Sequence, residues 1–282
     1  MMKILREGWR LVLTEYGIHS PVKLTIALVT DLHEGNPDET IKLLKQAQPD
    51  IICIAGDTFE RYGVGDNLRR QESPGKFHRL IHKLAFVLDD ILYGLMRSHR
   101  ENNPEDVYRF LEEVSRVGNR TGGYAAVYIS LGNHDWRLDK RDKKALRKAG
   151  ITLLDNGAVD AAGFLIGGLS TRVDKTWLSR FSSRPGYKIL LCHHPEYYDK
   201  YLKDREIDLI LSGHAHGGQI RLFGRGVFAP GQGLFPKYHH GVYDGRLVVS
   251  AGCANTASIP RWGNPREVVV VKLADLREGN SE

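Results

Sequence analysis

The chain has 282 residues, of which 41% are hydrophobic, and it carries a formal net charge of +6 at pH 7. That apolar content suffices for a large core and excludes a disordered chain. The mild positive charge favours acidic substrates or membrane surfaces without requiring either. Three scattered cysteines set among apolar residues argue against a disulfide framework and favour a reducing compartment.

The first 23 residues contain several basic residues and no long apolar run. Their longest unbroken apolar stretch, residues 11–13, is too short for a signal peptide or a membrane span. Four apolar residues keep helical spacing and predict a short amphipathic helix: Leu5, Trp9, Val12 and Tyr16. Together with the absence of a spanning segment elsewhere, this predicts a cytoplasmic protein or one bound peripherally at the inner membrane face.

Apolar runs rich in Ile, Val and Leu predict five buried strands: 24–29, 51–55, 125–131, 188–192 and 207–212. The runs lack strict alternation, so both faces of each strand should be covered. Pro followed by acidic residues, which is typical of a helix N-terminus, opens three stretches between them: 37–48, 104–118 and 195–204. Alternating strands and helices predict an α/β fold.

An insertion over about residues 60–103 separates the second and third of these strands. Within 73–103, apolar residues from Phe77 to Leu95 keep helical spacing, and charged residues fall mainly on the opposite side. The pattern predicts an amphipathic helix. Its role stays open between plain packing on the domain, a lid over the site and a surface that contacts lipid.

The C-terminal third has short Gly-rich strand patterns and little helical pattern, at 217–224, 245–252 and 266–273. We expect these strands to form a second sheet packed on the first. No internal repeat or linker divides the chain, so we expect a single domain over residues 1–282.

Residues of metal-binding types follow the predicted strands directly. In chain order they are Asp31, His33, Asp57, Asn133, His134, Asp135, His193, His194, His214 and His216. Functional residues of open α/β sheets gather at the carboxyl ends of strands, so the fold should bring these side chains together. Each short motif alone also fits a helix cap, a turn or a surface histidine, but the joint pattern is hard to explain in that way.

The spacing inside two of these motifs suggests paired ligands. Residues i and i+2 of an extended chain point the same way, which predicts that Asp31 pairs with His33 and that His214 pairs with His216. Gly217 and Gly218 are expected to let the backbone and the substrate come close, because a Cβ atom there would obstruct them.

The donor atoms of these residues are carboxylate, amide and imidazole atoms without a thiolate, which favours Mn, Fe or Zn. Three carboxylate or amide ligands and four imidazole ligands are too many for one tetrahedral ion. Two divalent or trivalent ions that share a carboxylate would use all seven ligands. Paired ions clamp a phosphoryl group and lower the pKa of bound water towards about 7. The pattern therefore predicts a dinuclear metal centre.

The blocks "DLH", "GD", "GNHD", "HHP" and "GHAH" resemble the calcineurin-like metallophosphoesterases over about residues 24–272. The "GHAHGGQ" ending and the later "VVSAGCANTASIPRWGNPREVVVVKL" are similar to the bacterial YaeI/YkuE-like phosphodiesterase branch. The resemblance implies a four-layer α/β/β/α sandwich of two packed mixed sheets flanked by helices. It also implies a dinuclear metal site at the carboxyl ends of the strands.

The resemblance further implies a role for each site residue. A first ion would be held by Asp31, His33, Asp57 and His216, and a second by Asp57, Asn133, His193 and His214. His134 would face the phosphate and the leaving group, and Asp135 would orient it. His194 stays an alternative to His193, and Glu60, which stands where many relatives have Asp, has no assigned role.

The expected reaction is hydrolysis of a phosphodiester or pyrophosphate bond by metal-activated water, with lipid-linked and nucleotide substrates both open. Alternatives are a phosphomonoesterase or phosphoprotein phosphatase, and a catalytically silent scaffold with the same fold. Nucleic acid is not the expected partner, because the chain lacks an aromatic and basic stripe. We expect weak contact with anionic membranes and infer no obligate protein partner.

Residues that contact the substrate are not identified by these patterns. Arg221, Arg225 and Lys237 lie in a loop-rich segment and could contact phosphate, although a solvated surface is the simpler interpretation.

Overall fold

The computed structural model describes residues 10–61, 103–161, 163–254 and 261–275. The amphipathic helix predicted within 73–103 therefore lies outside the described residues, apart from residue 103. The prediction of a single domain with a helical insertion stays a prediction.

The first sheet contains six strands drawn from both ends of the chain. They are β1 Leu11–His19, β2 Leu24–Val29, β3 Ile51–Ala55, β4 Ala126–Ser130, β5 Thr152–Leu153 and β16 Arg266–Ala274. Their order is β1, β16, β2, β3, β4, β5. Strands β2 to β5 are parallel, whereas β16 runs antiparallel to β2 and parallel to β1.

The second sheet also has six strands and comes from the middle of the chain. They are β6 Gly157–Ala161, β7 Phe164–Leu169, β8 Lys188–Cys192, β9 Leu209–Ser212, β14 Gly241–Tyr243 and β15 Leu247–Val249. In the order β14, β15, β9, β8, β7, β6, the central four strands are parallel and both edge strands are antiparallel to their neighbours. Two short hairpins lie between β9 and β14: β10 Arg221–Leu222 with β11 Arg225–Gly226, and β12 Phe228–Ala229 with β13 Gly233–Leu234.

The α-helices of the described residues are α1 Asp38–Ala47, α2 Pro104–Val114, α3 Lys140–Lys148 and α4 Lys175–Ser182. Helix α2 shows why these segments are helical. Its N-terminus is capped by the Asn103 side chain, which accepts a hydrogen bond from the Glu105 amide at 3.1 Å. Its buried residues, Val107, Phe110, Leu111 and Val114, recur at helical spacing and face the core.

The helices and the two sheets form four layers, and an apolar core fills each of the three spaces between neighbouring layers. Alternate residues of β3 face opposite ways: Ile52 and Ile54 pack with α1, α2 and α3, whereas Ile51 and Cys53 pack against the second sheet. The far side of the second sheet packs against α4. This arrangement confirms the α/β/β/α sandwich, and it explains the continuous apolar runs, because both faces of each central strand are buried.

The expectation that the C-terminal third forms the second sheet is wrong for two of its three segments. Strand β16 inserts between β1 and β2 in the first sheet, where four successive residues, Val268 to Val271, are all buried. A strand that is apolar on both faces is stabilised best at a position covered on both sides. Residues 217–224 contribute to the β10–β11 hairpin, and only 245–252 contributes to the second sheet.

Two helical predictions also fail. Val12 and Tyr16 lie in β1, which pairs with β16 over nine residues, so sheet hydrogen bonds replace the amphipathic helix there; Leu5 and Trp9 lie outside the described residues. Residues 198–202 form a short π-helical turn, Tyr198–Leu202, instead of an α-helix. In the parts of the chain that the structure describes, no helix has both the length and the apolarity needed to cross a membrane.

Candidate metal centre

The loops that follow five strands meet at one edge of the sandwich, where the two sheets adjoin. Asp31 and His33 follow β2, Asp57 follows β3, Asn133 follows β4, His193 follows β8, and His214 and His216 follow β9. The His214 amide donates to Asp31 Oδ1 at 3.1 Å and so connects the second sheet to the first. The fold thus brings the loops of all seven predicted ligands to one place.

A first group of potential ligands consists of Asp31, His33 and His216, whose ligand atoms lie within 4.8 Å of one another. His216 Nε2 is 3.6 Å and His33 Nε2 is 4.0 Å from Asp31 Oδ1. His33 Nε2 is also 3.8 Å from Asp57 Oδ2. These four residues are the set predicted for the first ion.

A second group consists of Asp57, His193 and His214. His193 Nε2 lies 3.0 Å from Asp57 Oδ2. His193 Nδ1 lies 2.8 Å from the Ala55 carbonyl oxygen, which can only accept, so Nδ1 donates to it and Nε2 is the ring atom that faces the group. With Asn133, these residues are the set predicted for the second ion.

Buried polar atoms without a hydrogen-bond partner show that the site suits metal ions. In the described part of the chain they include His33 Nε2, His193 Nε2, Asp57 Oδ2 and Asn133 Oδ1. Burial of such atoms without a partner costs free energy, and a cation would offset that cost. Nitrogen and oxygen donors of this kind match first-row divalent ions, so the residues present fit the predicted ions.

The backbone at this site is strained at five of the predicted ligands. The φ angles are 54° at Asp31, 50° at His33, 54° at Asp57, 65° at His214 and 46° at His216, a region that non-glycine residues rarely adopt. The expectation of extended i, i+2 pairs is therefore wrong in its geometry. His214 and His216 in fact belong to different ligand groups.

Glycines next to the ligands make room for carboxylates. A Cβ atom on Gly132 would lie 2.1 Å from Asp57 Oδ1, and one on Gly213 would lie 2.6 Å from Asp31 Oδ2. Neither carboxylate could keep its position beside a larger residue, so these glycines help to define the centre.

The two glycines after His216 let other parts of the chain come close, as expected. A Cβ atom on Gly217 would lie 2.2 Å from Asn264 Oδ1, and one on Gly218 would lie 2.3 Å from the Gly226 Cα atom. Both glycines therefore permit close packing of the protein on itself, and their role in admitting substrate stays a prediction.

Glu60, to which the sequence assigned no role, lies between two predicted site residues. Its Oε1 atom lies 2.6 Å from His33 Nδ1, and its Oε2 atom lies 2.9 Å from His134 Nδ1. Burial would raise the pKa of Glu60, but the adjacent His134 and His33 imidazoles hold it far below its usual value. One ionised carboxylate thus orients a predicted metal ligand and the predicted catalytic histidine.

His134 lies beside the shared carboxylate. Its Nε2 atom is 4.0 Å from Asp57 Oδ2, and its amide donates to Asp57 Oδ1 at 2.9 Å. Burial would lower the pKa of His134, but the charges of Asp57 and Glu60 raise it to about 9. In the metal-free protein this imidazole is therefore protonated at neutral pH.

Asp135 contacts the backbone of two loops. It accepts hydrogen bonds from the amides of Gly132 at 2.6 Å and Thr58 at 2.7 Å. Burial and the charge of Asp57 raise the pKa of Asp135 to about 6. The structure therefore differs from the expectation that Asp135 orients His134: Glu60 holds His134 Nδ1, and Asp135 ties the β4 loop to the β3 loop.

His194, the alternative ligand, is engaged on both ring nitrogens. Its Nε2 atom lies 3.1 Å from Thr171 Oγ1, and its Nδ1 atom lies 3.1 Å from Glu196 Oε1. The geometry favours His193 as the ligand, because its Nε2 atom faces Asp57. His194 does belong to a neighbouring group of potential ligands with Glu196 and His214.

The electrostatics of the two remaining histidines suit metal binding. Burial, and then the neighbouring His194 imidazole, hold the pKa of His214 well below its usual value. Burial and the His33 imidazole have the same effect on the pKa of His216. Both rings are therefore neutral at physiological pH, which is the form that coordinates metals.

Comparison with known proteins agrees with this geometry. The family model of the calcineurin-like phosphoesterases matches residues 24–218. Among curated relatives, the uncharacterized metallophosphoesterase YkoQ of Bacillus subtilis (strain 168) is 28% identical over 249 residues, or 82% of this chain and 70% of the relative. The uncharacterized metallophosphoesterase Cj0846 of Campylobacter jejuni is 31% identical over 274 residues, or 89% of this chain.

The chain spans only 59% of the length of that Campylobacter relative. Among solved structures, the sulfate thiohydrolase SoxB of Thermus thermophilus has a TM-score of 0.39 and 13% identity, covering 93% of this chain and 58% of that one. A similarity of this size carries no argument about function.

Proposed function

We propose, from the premise that this chain belongs to the calcineurin-like phosphoesterase family, that it hydrolyses phosphodiester or pyrophosphate bonds with two metal ions. The family comprises metal-dependent phosphoesterases. The proposal adds to this which kind of phosphate bond is hydrolysed and how many metal ions take part. The observation that carries the proposal is the set of unpartnered donor atoms around Asp57, which belongs to both ligand groups. Assignment to the YaeI/YkuE-like branch stays a prediction.

The first ion would be held by Asp31, His33, Asp57 and His216, and the second by Asp57, Asn133, His193 and His214. Bound ions would supply Lewis acidity towards phosphoryl oxygens and would lower the pKa of water. The ions in the cell are proposed to be Mn, Fe or Zn, since the donors are nitrogen and oxygen.

The chain's own residues then direct the proton transfer. The attacking water releases a proton to solvent and forms a new bond to phosphorus as the bond from phosphorus to the leaving group breaks. His134, whose Nδ1 atom faces the ionised Glu60 carboxylate, donates its Nε2 proton to the leaving-group oxygen. Glu60 holds the opposite ring nitrogen, so the imidazole presents Nε2 towards the centre.

The test compares bis(p-nitrophenyl) phosphate with p-nitrophenyl phosphate in the presence of Mn. We expect a higher kcat/KM for the diester, and no activity after chelation with EDTA until Mn is restored. A clear preference for the monoester would contradict the diester assignment and favour the phosphomonoesterase alternative. Failure to retain any divalent ion after dialysis against Mn would favour a silent scaffold.

We also propose weak peripheral contact with anionic membranes at the inner membrane face. Large apolar side chains are exposed on the two short hairpins and beside them: Leu222, Phe223, Leu234, Phe235 and Trp262. Phe223 is fully exposed and Phe235 is 75% exposed. Arg225 is exposed on the same hairpin as Phe223, which adds attraction to anionic head groups.

Flotation with anionic and neutral liposomes tests this contact. We expect binding only to anionic vesicles, weakening with salt, and a loss of about 100-fold or more in the double variant Phe223→Ser/Phe235→Ser, since burial of each ring stabilises binding by roughly 1.5–3 kcal/mol. Tyr124→Ser, at another site that is 70% exposed, is the matched control. Equal flotation with neutral and anionic vesicles would contradict the proposal.

A further inference from the structure

Two arginines stack on one tryptophan close to the metal centre. The Arg137 and Arg172 Cζ atoms lie 3.9 and 3.8 Å from the centre of the Trp136 ring. Both arginines are exposed, and Trp136 is half-buried. Stacking occupies the faces of the guanidinium groups and leaves their edges available, and these edges donate two parallel hydrogen bonds to phosphate or carboxylate. We call these three residues the Arg–Trp cluster.

The cluster lies near the second ligand group through two separate loops. Trp136 is three residues beyond Asn133, so their Cα atoms are within roughly 11 Å. Arg172 follows Thr171, whose hydroxyl lies 3.1 Å from His194 Nε2. The His194 ring is in turn 4.3 Å, centre to centre, from the ring of His214. Trp136 and Arg172 therefore lie on loops that border the second ligand group.

In the part of the chain that the structure describes, no ion pair neutralises the positive charge of the cluster. Arg61, Arg141 and Arg184 each pair with a carboxylate. Within residues 10–61, 103–161, 163–254 and 261–275, by contrast, no carboxylate oxygen lies within 4.0 Å of a guanidinium nitrogen of Arg137 or Arg172. Two guanidinium groups this close to one ring centre lie on its opposite faces, so an anion would bind beside the ring, bridge their edges and offset their mutual repulsion.

We propose that the Arg–Trp cluster binds a second phosphate group of the substrate, beyond the phosphate held at the metal centre. The inference rests on the proposed function and narrows the substrate class to phosphate esters that carry a further anionic phosphate. A simple diester carries one negative charge, whereas two exposed guanidinium groups match the additional charge of a diphosphate.

The test uses AMP and ADP, which differ by one phosphate, as inhibitors of bis(p-nitrophenyl) phosphate hydrolysis at a fixed free Mn concentration. The readout is the ratio of the two inhibition constants in one protein, so differences in metal loading or folded fraction between variants cancel. We expect the wild-type protein to bind ADP at least about tenfold more tightly than AMP. In Arg137→Gln/Arg172→Gln this ratio should fall towards one.

Arg147→Gln, which removes an exposed charge from α3, is the matched control and should keep the wild-type ratio. Trp136→Leu should lower the ratio more than Trp136→Phe, because Phe retains an aromatic face for stacking. A double variant that keeps the ADP preference, a wild-type protein without one, or an equal loss in Arg147→Gln would each overturn the proposal.

Failure of the proposed function has a different signature. If the Mn-loaded protein hydrolyses neither nitrophenyl ester, the reaction assignment fails. The dissociation constants of AMP and ADP can then be measured by equilibrium dialysis of the Mn-loaded protein. Their ratio still decides whether the cluster recognises the second phosphate.

Discussion

Asp57 and His134 are neighbours with different expected roles. Asp57→Asn removes the carboxylate common to both ligand groups, so we expect loss of bound metal and a fall in activity of at least about 10³-fold. His134→Gln leaves the ligand groups intact, so we expect normal metal content with a loss of roughly 10²–10⁴-fold in kcat. Metal content per chain and kcat, measured together, separate the two roles. Full activity at normal metal content in either variant would show that the role is misassigned.

Glu60 acts through other residues, and its removal should show this. Glu60→Gln takes away the charge that faces the Nδ1 atoms of His33 and His134, so we expect a loss of roughly 10–100-fold in activity or metal affinity. In the metal-free variant, the pKa of His134, followed by the NMR shift of its ring protons, should fall from its raised value. Glu112→Gln, on the exposed side of α2, is the control. An unchanged His134 pKa in Glu60→Gln would count against this role.

Gly132 shows how a loop between elements defines the centre. In Gly132→Ala the added Cβ atom would lie 2.1 Å from Asp57 Oδ1, so the carboxylate or the loop must move. We expect weaker metal binding and a destabilisation of about 1–3 kcal/mol, measured by thermal unfolding and Mn titration. Gly17→Ala in β1 is the control, because no heavy atom lies within 4 Å of the added carbon. Wild-type Mn affinity in Gly132→Ala would show that the close approach of these loops is not required.

The element level also explains which segments were predictable. Strands β2, β3, β8 and β9 coincide with continuous apolar runs because each is buried on both faces, whereas β4 leaves Ala126 exposed and Tyr128 half-buried. The partner of a strand is less predictable. Strand β16 follows the second sheet in the sequence but pairs with β1 and β2. Its buried valines require cover on both faces, and long-range packing decides which sheet provides that cover.

At the scale of the whole molecule, the centre joins the two sheets and concentrates buried charge at their junction. In the metal-free protein, burial would lower the pKa values of His134 and His193, but nearby carboxylates raise them from 6.5 to about 9 and about 10. A histidine whose pKa is higher in the folded protein than in the unfolded protein stabilises the folded state fully when the pH is below its pKa in the unfolded protein. This stabilisation is lost as the pH rises through its pKa in the folded protein. The free energy of unfolding of EDTA-treated protein should therefore fall between pH 6.5 and 9.

Urea unfolding at intervals across that range measures this effect. His134→Gln should show a smaller fall than the wild-type protein, because one of the two responsible groups is gone. The lowered pKa values of His214 and His216 act only below their usual range and leave this window unaffected. A free energy that stays constant, or rises with pH, would contradict the protonated state assigned to His134.

The sequence by itself determined the layered class of the fold, the position of most strands and the identity of the potential ligands. It did so because burial on both faces demands continuous apolar runs, and because ligand types repeat directly after those runs. Only the tertiary structure decided the place of β16, the left-handed backbone of the ligand loops, the role of Glu60 and the stacking of two arginines on Trp136. These features depend on contacts between residues that are far apart in the sequence. Glu60 and His134, for example, are 74 positions apart. No local pattern of residues encodes contacts of that kind.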